Sequence, residues 1–128
     1  MVRDAALKFT RDLPGALSIR SVGPNGIRVM DELHEESIVL APDAVLHTWH
    51  DTPVEALAED DFERVFAAEP EIVVLGTGGS HMFPPREIMF AFARRSIGFE
   101  FMDTAAAART FNVLANEGRK VVAVLYLG

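Results

Sequence analysis

The sequence predicts an α/β fold, a mixed β-sheet with about three helices packed on it, and three observations carry that prediction. From Glu71 onward, short β-branched or aromatic runs alternate with helical patterns in the order strand, helix, strand, helix, strand. That rhythm belongs to a sheet joined by crossover helices. Before Glu71, turn residues separate strand-like runs, so antiparallel strands join the sheet. The length of 128 residues, with 49% hydrophobic content, suits one domain that buries its own core without staples.

Residues 1–14 carry no apolar face and read as a loosely held leader to a domain spanning 15–128. Residues 16–30, ALSIRSVGPNGIRVM, form two strands around Gly23-Pro24-Asn25-Gly26, where Asn-Gly supplies the positive φ of a hairpin turn. Ser37 to Ala41 is a third strand, closed by Pro42-Asp43, and Val45 to Trp49 is a short extended piece. Thr52-Pro53-Val54-Glu55 opens the first helix with a capping Thr, Pro at the first helical position and Glu at the third. Val54, Leu57, Phe62, Val65 and Phe66 continue it as one apolar stripe until Pro70. Its carboxylates, Glu55, Glu59, Asp60 and Glu63, make a solvated face.

Glu71 to Leu75 lacks alternation and predicts a strand covered on both faces. Pro84-Pro85 opens a second helix over 86–96, with Phe90 off its apolar face. Phe99 to Met102 is a strand. Asp103 or Thr104 caps a third helix, Ala105 to Glu117, which Gly118 stops. Lys120 to Leu127 is the last strand.

Composition excludes several function classes. Twelve basic residues against 19 acidic ones leave a net charge of −7, which repels nucleic acid. With no cysteine there is no disulfide, thiolate metal site or thiol nucleophile. His47 and His50 are three apart, on opposite faces of a strand, and make no metal pair, so neither a metal nor a cofactor is expected. No apolar stretch reaches the roughly 20 residues of a membrane span, and no signal peptide opens the chain, so the cytoplasm is the expected setting.

Gly76-Thr77-Gly78-Gly79 at the end of a buried run invites comparison with phosphate loops. The dinucleotide fingerprint fails because His81 stands at its third glycine position. A Walker loop lacks its Lys, and a nucleophile elbow at Ser80 would need glycine where Met82 stands. A sharp turn out of a buried strand accounts for the glycines. Should strands 71–75 and 99–102 run parallel, however, their carboxyl ends share a sheet edge where ligands bind. Candidate binding residues there are Gly76, Thr77, Gly78, Gly79, Asp103 and Thr104, with Arg109 as an anion clamp and Asn112 on its helical face. Asp103 weighs against an anion, because its own carboxylate takes the helix's first donors.

Several stretches together resemble a known family: Ser37 to Pro42, Trp49, Leu75-Gly76-Thr77-Gly78, and above all Met102-Asp103-Thr104 with Ala108 to Leu114 and Glu117-Gly118-Arg119. They resemble the Mth-type small α/β domain of unknown function, a family that includes the mitochondrial complex I assembly factor 3. Members commonly carry Tyr where this chain has Phe111, so that hydroxyl is missing here. The resemblance implies a three-layer fold with a central mixed sheet and a non-catalytic, assembly-type role with protein partners. Met82, Phe83 and Phe90, surplus to the core, suit a partner patch. A small anionic ligand at the carboxyl edge, or an enzyme using that pocket, is the rival reading. Self-association stays open.

Overall fold

The computed structural model describes residues 16–128, so the predicted leader lies outside the described residues. A five-stranded mixed sheet forms the middle layer. Its strands are β4 (Ile38–Ala41), β5 (Ala44–Thr48), β6 (Ile72–Gly76), β7 (Gly98–Met102) and β8 (Val121–Leu125), in the spatial order β5-β4-β8-β6-β7. β6 runs parallel to both β7 and β8, while β4 is antiparallel to β5 and β8. The predicted parallel pairing therefore exists, with Leu75 opposite Phe101 and Gly76 opposite Met102.

Two cores lie on the two faces of this sheet. One joins Ile38, Leu40, Val74, Val121, Ala123 and Leu125 to the helix α3 (Thr104–Asn116) and to a three-stranded antiparallel sheet, β1 (Ile19–Gly23), β2 (Gly26–Val29) and β3 (Glu32–His34). The other joins Val39, Val73, Leu75, Val122 and Val124 to α1 (Glu63–Ala67), α2 (Arg86–Arg94) and the segment before them. Val73, Val74 and Leu75 alternate between the two cores and are fully buried, which is why β6 reads as an unbroken apolar run. Burying each such side chain contributes about 1.5–3 kcal/mol. Ala107, Ala108 and Ala115, all buried, let α3 sit close to the sheet, and Phe111, fully buried, anchors it.

Two local expectations need correction. The helix predicted to open at Thr52-Pro53 and run until Pro70 is broken: 3-10 turns cover Val54–Ala56 and Glu59–Phe62, and only Glu63–Ala67 is α-helical. Leu57 and Ala58 between them are extended, with ψ of 145° and 163°. Asp61 causes the second start, because its carboxylate accepts the Ala58 N–H at 2.8 Å. Thr52 makes no side-chain cap. Glu59 then binds Arg94 and Arg95 at 2.8 and 2.6 Å, tying the turn to α2 rather than facing water alone. The hairpin at residues 23–26 forms, with Gly23 opposite Gly26, yet neither Asn25 nor Gly26 adopts positive φ. Pro24 opens the turn with its preset φ instead. Gly26 lets β3 approach closely, since a Cβ there would meet the His34 backbone carbonyl at 3.0 Å as well as the Leu33 side chain.

Candidate functional site

The carboxyl ends of β6, β7 and β8 converge on the start of α3. Gly76 has to be glycine because a Cβ would lie 2.9 Å from the Thr104 Cα, from Thr104 Oγ1 and from Leu125 Cδ2. Gly78 has φ of 99°, which lets the chain turn back. From there the backbone is stitched across. Thr77 N–H donates to Met102 O at 2.8 Å, Thr104 N–H to Gly78 O at 2.9 Å, and Tyr126 N–H to Gly76 O at 2.9 Å. The Thr104 hydroxyl accepts the Gly78 N–H at 2.8 Å and donates to Tyr126 O at 2.7 Å. Thr77 Oγ1 donates to Ser80 O at 2.6 Å and accepts the Met82 N–H at 3.2 Å. Asp103 is the helix cap, its carboxylate accepting the Ala106 N–H at 2.8 Å.

Gly76, Thr77, Gly78, Asp103 and Thr104 are thus brought together, with their hydrogen-bonding groups turned toward one another, and Gly79 follows exposed. Arg109 and Asn112 stand further along α3, toward β1. Asn112 pairs with Ile19 as a strand would, accepting its N–H at 2.9 Å and donating to its carbonyl at 3.0 Å. This contact clips the three-stranded sheet to α3. Asn112→Ala should cost about 1–3 kcal/mol in chemical denaturation, because two backbone groups lose their partner. Arg109 borders a cleft of about 170 Å³ shared with Arg20, Ser21 and Ala105. Neither arginine pairs with a carboxylate among the described residues. The cleft is a local basic spot on an acidic protein.

A second polar cluster escaped the sequence reading. On the opposite face, Tyr126 donates its hydroxyl to Thr52 O at 2.6 Å. Trp49 stacks on His50 with ring centroids 4.3 Å apart, and His50 Nε2 lies 3.4 Å from Asp61. Trp49 is buried, and its indole N–H makes no hydrogen bond of good geometry among the described residues. Burial raises the Tyr126 pKa above the usual phenol value; the nearby Trp49 N–H opposes this, and the Asp61, Asp51 and Glu55 carboxylates add to the rise. Tyr126 is the only tyrosine, so ultraviolet titration reads it alone. Its phenolate should appear above pH 10, later than in the unfolded chain, and the stability due to the neutral phenol should be lost as pH rises through the folded-state value. Thr52 and Tyr126 lie 74 positions apart, and no spacing rule joins them.

Aromatic surface gathers at the free side of β7, an edge strand of the sheet. Phe83 is 66% exposed, stacks on His81 at 5.0 Å and meets Phe101 edge-on at 5.3 Å. Phe101 continues inward through Phe99 to Phe92, and that last pair is stacked at 4.4 Å. Phe90, on α2, is 56% exposed. Met82 is half-buried against the second core.

These features define a small three-layer α/β protein with two flanking cores. Its shape is that of the Mth938-like domain of Bordetella pertussis, which overlays at a TM-score of 0.69, with 24% identity over 94% of this chain and 91% of that one. The chain belongs to the family described as a protein of unknown function (DUF498/DUF598), matched by residues 19–126. The NMR structure of a Xanthomonas campestris protein is similar at a TM-score of 0.79, with 31% identity, covering 98% of this chain and 93% of that one. The mouse NADH dehydrogenase [ubiquinone] 1 alpha subcomplex assembly factor 3 is 32% identical over 89% of this chain and 62% of its own length. A "13 kDa major membrane protein" of Francisella tularensis is 31% identical over 56% of this chain and 58% of its own. The chain thus spans about three fifths of the length of these two relatives. Among the described residues, no helix is long and apolar enough to cross a membrane.

Proposed function

We propose that this chain is a non-catalytic interaction factor of assembly type, which holds a protein partner on exposed apolar surface and works in the cytoplasm. The observation that carries the reading is the aromatic shelf of His81, Phe83 and Phe101 beside the outer edge of β7, with Phe83 two-thirds exposed. A large aromatic left in water costs solubility, and such surface is characteristic of interaction sites. Kinship with an assembly factor supports the same reading. So does the junction at Gly76–Gly78 and Thr104, whose polar groups hold strands and helix together and leave little for chemistry. The test is purification of the tagged chain from its own cells beside a Phe83→Ser variant. A defined partner held in fixed proportion by the parent chain and lost from the variant is the expected result. Equal retention by both would reject the shelf.

The Arg20–Arg109 cleft favours a second reading, a site for a small anionic ligand. A thermal-shift screen against phosphates, nucleotides and organic acids addresses it. A ligand present at about 100 times its Kd would stabilise the chain by about 2.7 kcal/mol. That shift should vanish in Arg109→Ala; a stabilising compound indifferent to the substitution would place its site elsewhere.

A further inference from the structure

A groove separates the outer edges of the two sheets, on the side of the molecule where β3 ends one sheet and β5 ends the other. Two cavities of about 520 and 360 Å³ lie along it, and His34 borders both. The first reaches from Val29 to the start of β5 at Ala44 and Val45; the second reaches the end of β5 at Thr48. Leu17, Val29, Val45 and Ile38 supply an apolar floor. The walls differ in kind. Asp31 and Glu32 flank the first cavity and Glu35 and Glu36 the second, and among the described residues neither is lined by a lysine or arginine.

Among the described residues, nearby cations do not neutralise these carboxylates. The Arg28 guanidinium donates to the Asp31 backbone carbonyl at 3.2 Å. The His34 imidazole lies 3.8 Å from Glu32, at the outer limit of an ion pair. No group of three His, Asp or Glu among the described residues is placed to hold a metal ion. Among the described residues, two exposed large hydrophobics line these cavities: Met30, in the turn after β2, and Leu33, on β3. Apolar floor, anionic walls and two strand edges with no neighbour among the described residues make one consistent surface.

We propose that this groove docks a basic, apolar peptide segment of a protein partner, its aliphatic side chains filling the two cavities and its Lys or Arg side chains facing Glu32, Asp31, Glu35 and Glu36. The proposal rests on the interaction reading above and adds the chemistry of the partner. An acidic segment would be repelled. A purely apolar one would leave four carboxylates beside a dry surface, which their solvation opposes. Cations on the partner offset that cost and steer its approach.

The test uses a fluorescein-labelled octapeptide alternating Lys and Leu, with a Glu–Leu octapeptide as its counterpart, and reads anisotropy on the full chain. Because the chain carries −7 overall, mere net charge has to be separated from the groove. One double variant, Glu32→Lys with Glu35→Lys, reverses the groove. Another, Glu55→Lys with Glu63→Lys, makes the same change on the exposed far side. Trp49 fluorescence verifies that each is folded. The groove variant should lose about tenfold or more in affinity and the far-side variant about twofold or less, with binding to the parent chain weakening as salt rises. Equal losses in both variants, or equal binding of the acidic peptide, would overturn the proposal. In the native purification, a partner retained by the groove variant contradicts this inference while leaving the interaction reading intact. Absence of any partner from the parent chain contradicts that broader reading instead.

Discussion

Thr104→Val should destabilise the fold by about 2–4 kcal/mol, a drop of roughly 10 °C or more in midpoint for a chain of this size. Valine keeps the shape of threonine and removes only the hydroxyl. That hydroxyl is fully buried and bridges two backbone groups, accepting from Gly78 N–H and donating to Tyr126 O. Without it, a buried donor and a half-buried acceptor are left with no partner, each at about 1–3 kcal/mol. Loss of a methyl alone would cost less, so Thr104→Ser should retain most of the stability. Denaturant unfolding followed by the single tryptophan, Trp49, gives the comparison directly. Were the valine variant as stable as the parent, the hydroxyl would not be the tie between the glycine loop, α3 and β8.

Gly76→Ala should cost about 1–3 kcal/mol, whereas Gly79→Ala, three residues on, should stay within about 0.5. The added Cβ at position 76 meets the Thr104 backbone at 2.9 Å, and a backbone atom at a helix start cannot step aside. At position 79 a Cβ meets nothing within 4 Å. The contrast separates two explanations of the glycine run. If the loop cradled a ligand, Gly79 would be the residue whose exposed backbone approaches it, and its substitution would abolish a ligand-dependent shift. If the run is a packing junction, Gly76 dominates and its effect appears with no ligand present. The geometry predicts the second pattern.

Local chemistry was legible where it is short-ranged. β6 announced itself by lacking alternation, because each neighbouring pair of its side chains feeds a different core. Asp103 announced the start of α3, and Gly118, with φ of 80°, its end. The segment from Pro53 to Ala67 misled because Val54, Leu57, Phe62 and Val65 are all buried whether one helix or three short turns carries them. Only the Asp61 bond to Ala58 N–H decides, and an acidic run offers several such candidates. The Asn25-Gly26 pair misled in another way. Its glycine serves the close approach of β3 and not the turn. Of the candidate site, the meeting of Gly76–Gly78 with Thr104 followed from parallel strands. The Asn112–Ile19 clip spans 93 positions and followed from nothing local. The acidic groove was equally hidden, because β3 and β5, though separated only by β4 in the chain, are the outer strands of two different sheets.

The most direct measurement is the native mass of the complex that the tagged chain forms in its own cells, for the parent and for Phe83→Ser. The interaction reading predicts a particle heavier than one chain that contains a different polypeptide in fixed ratio, reduced to a single chain by the substitution. A parent chain that elutes alone, or only as copies of itself, while retaining a small anion that Arg109→Ala releases, would contradict it.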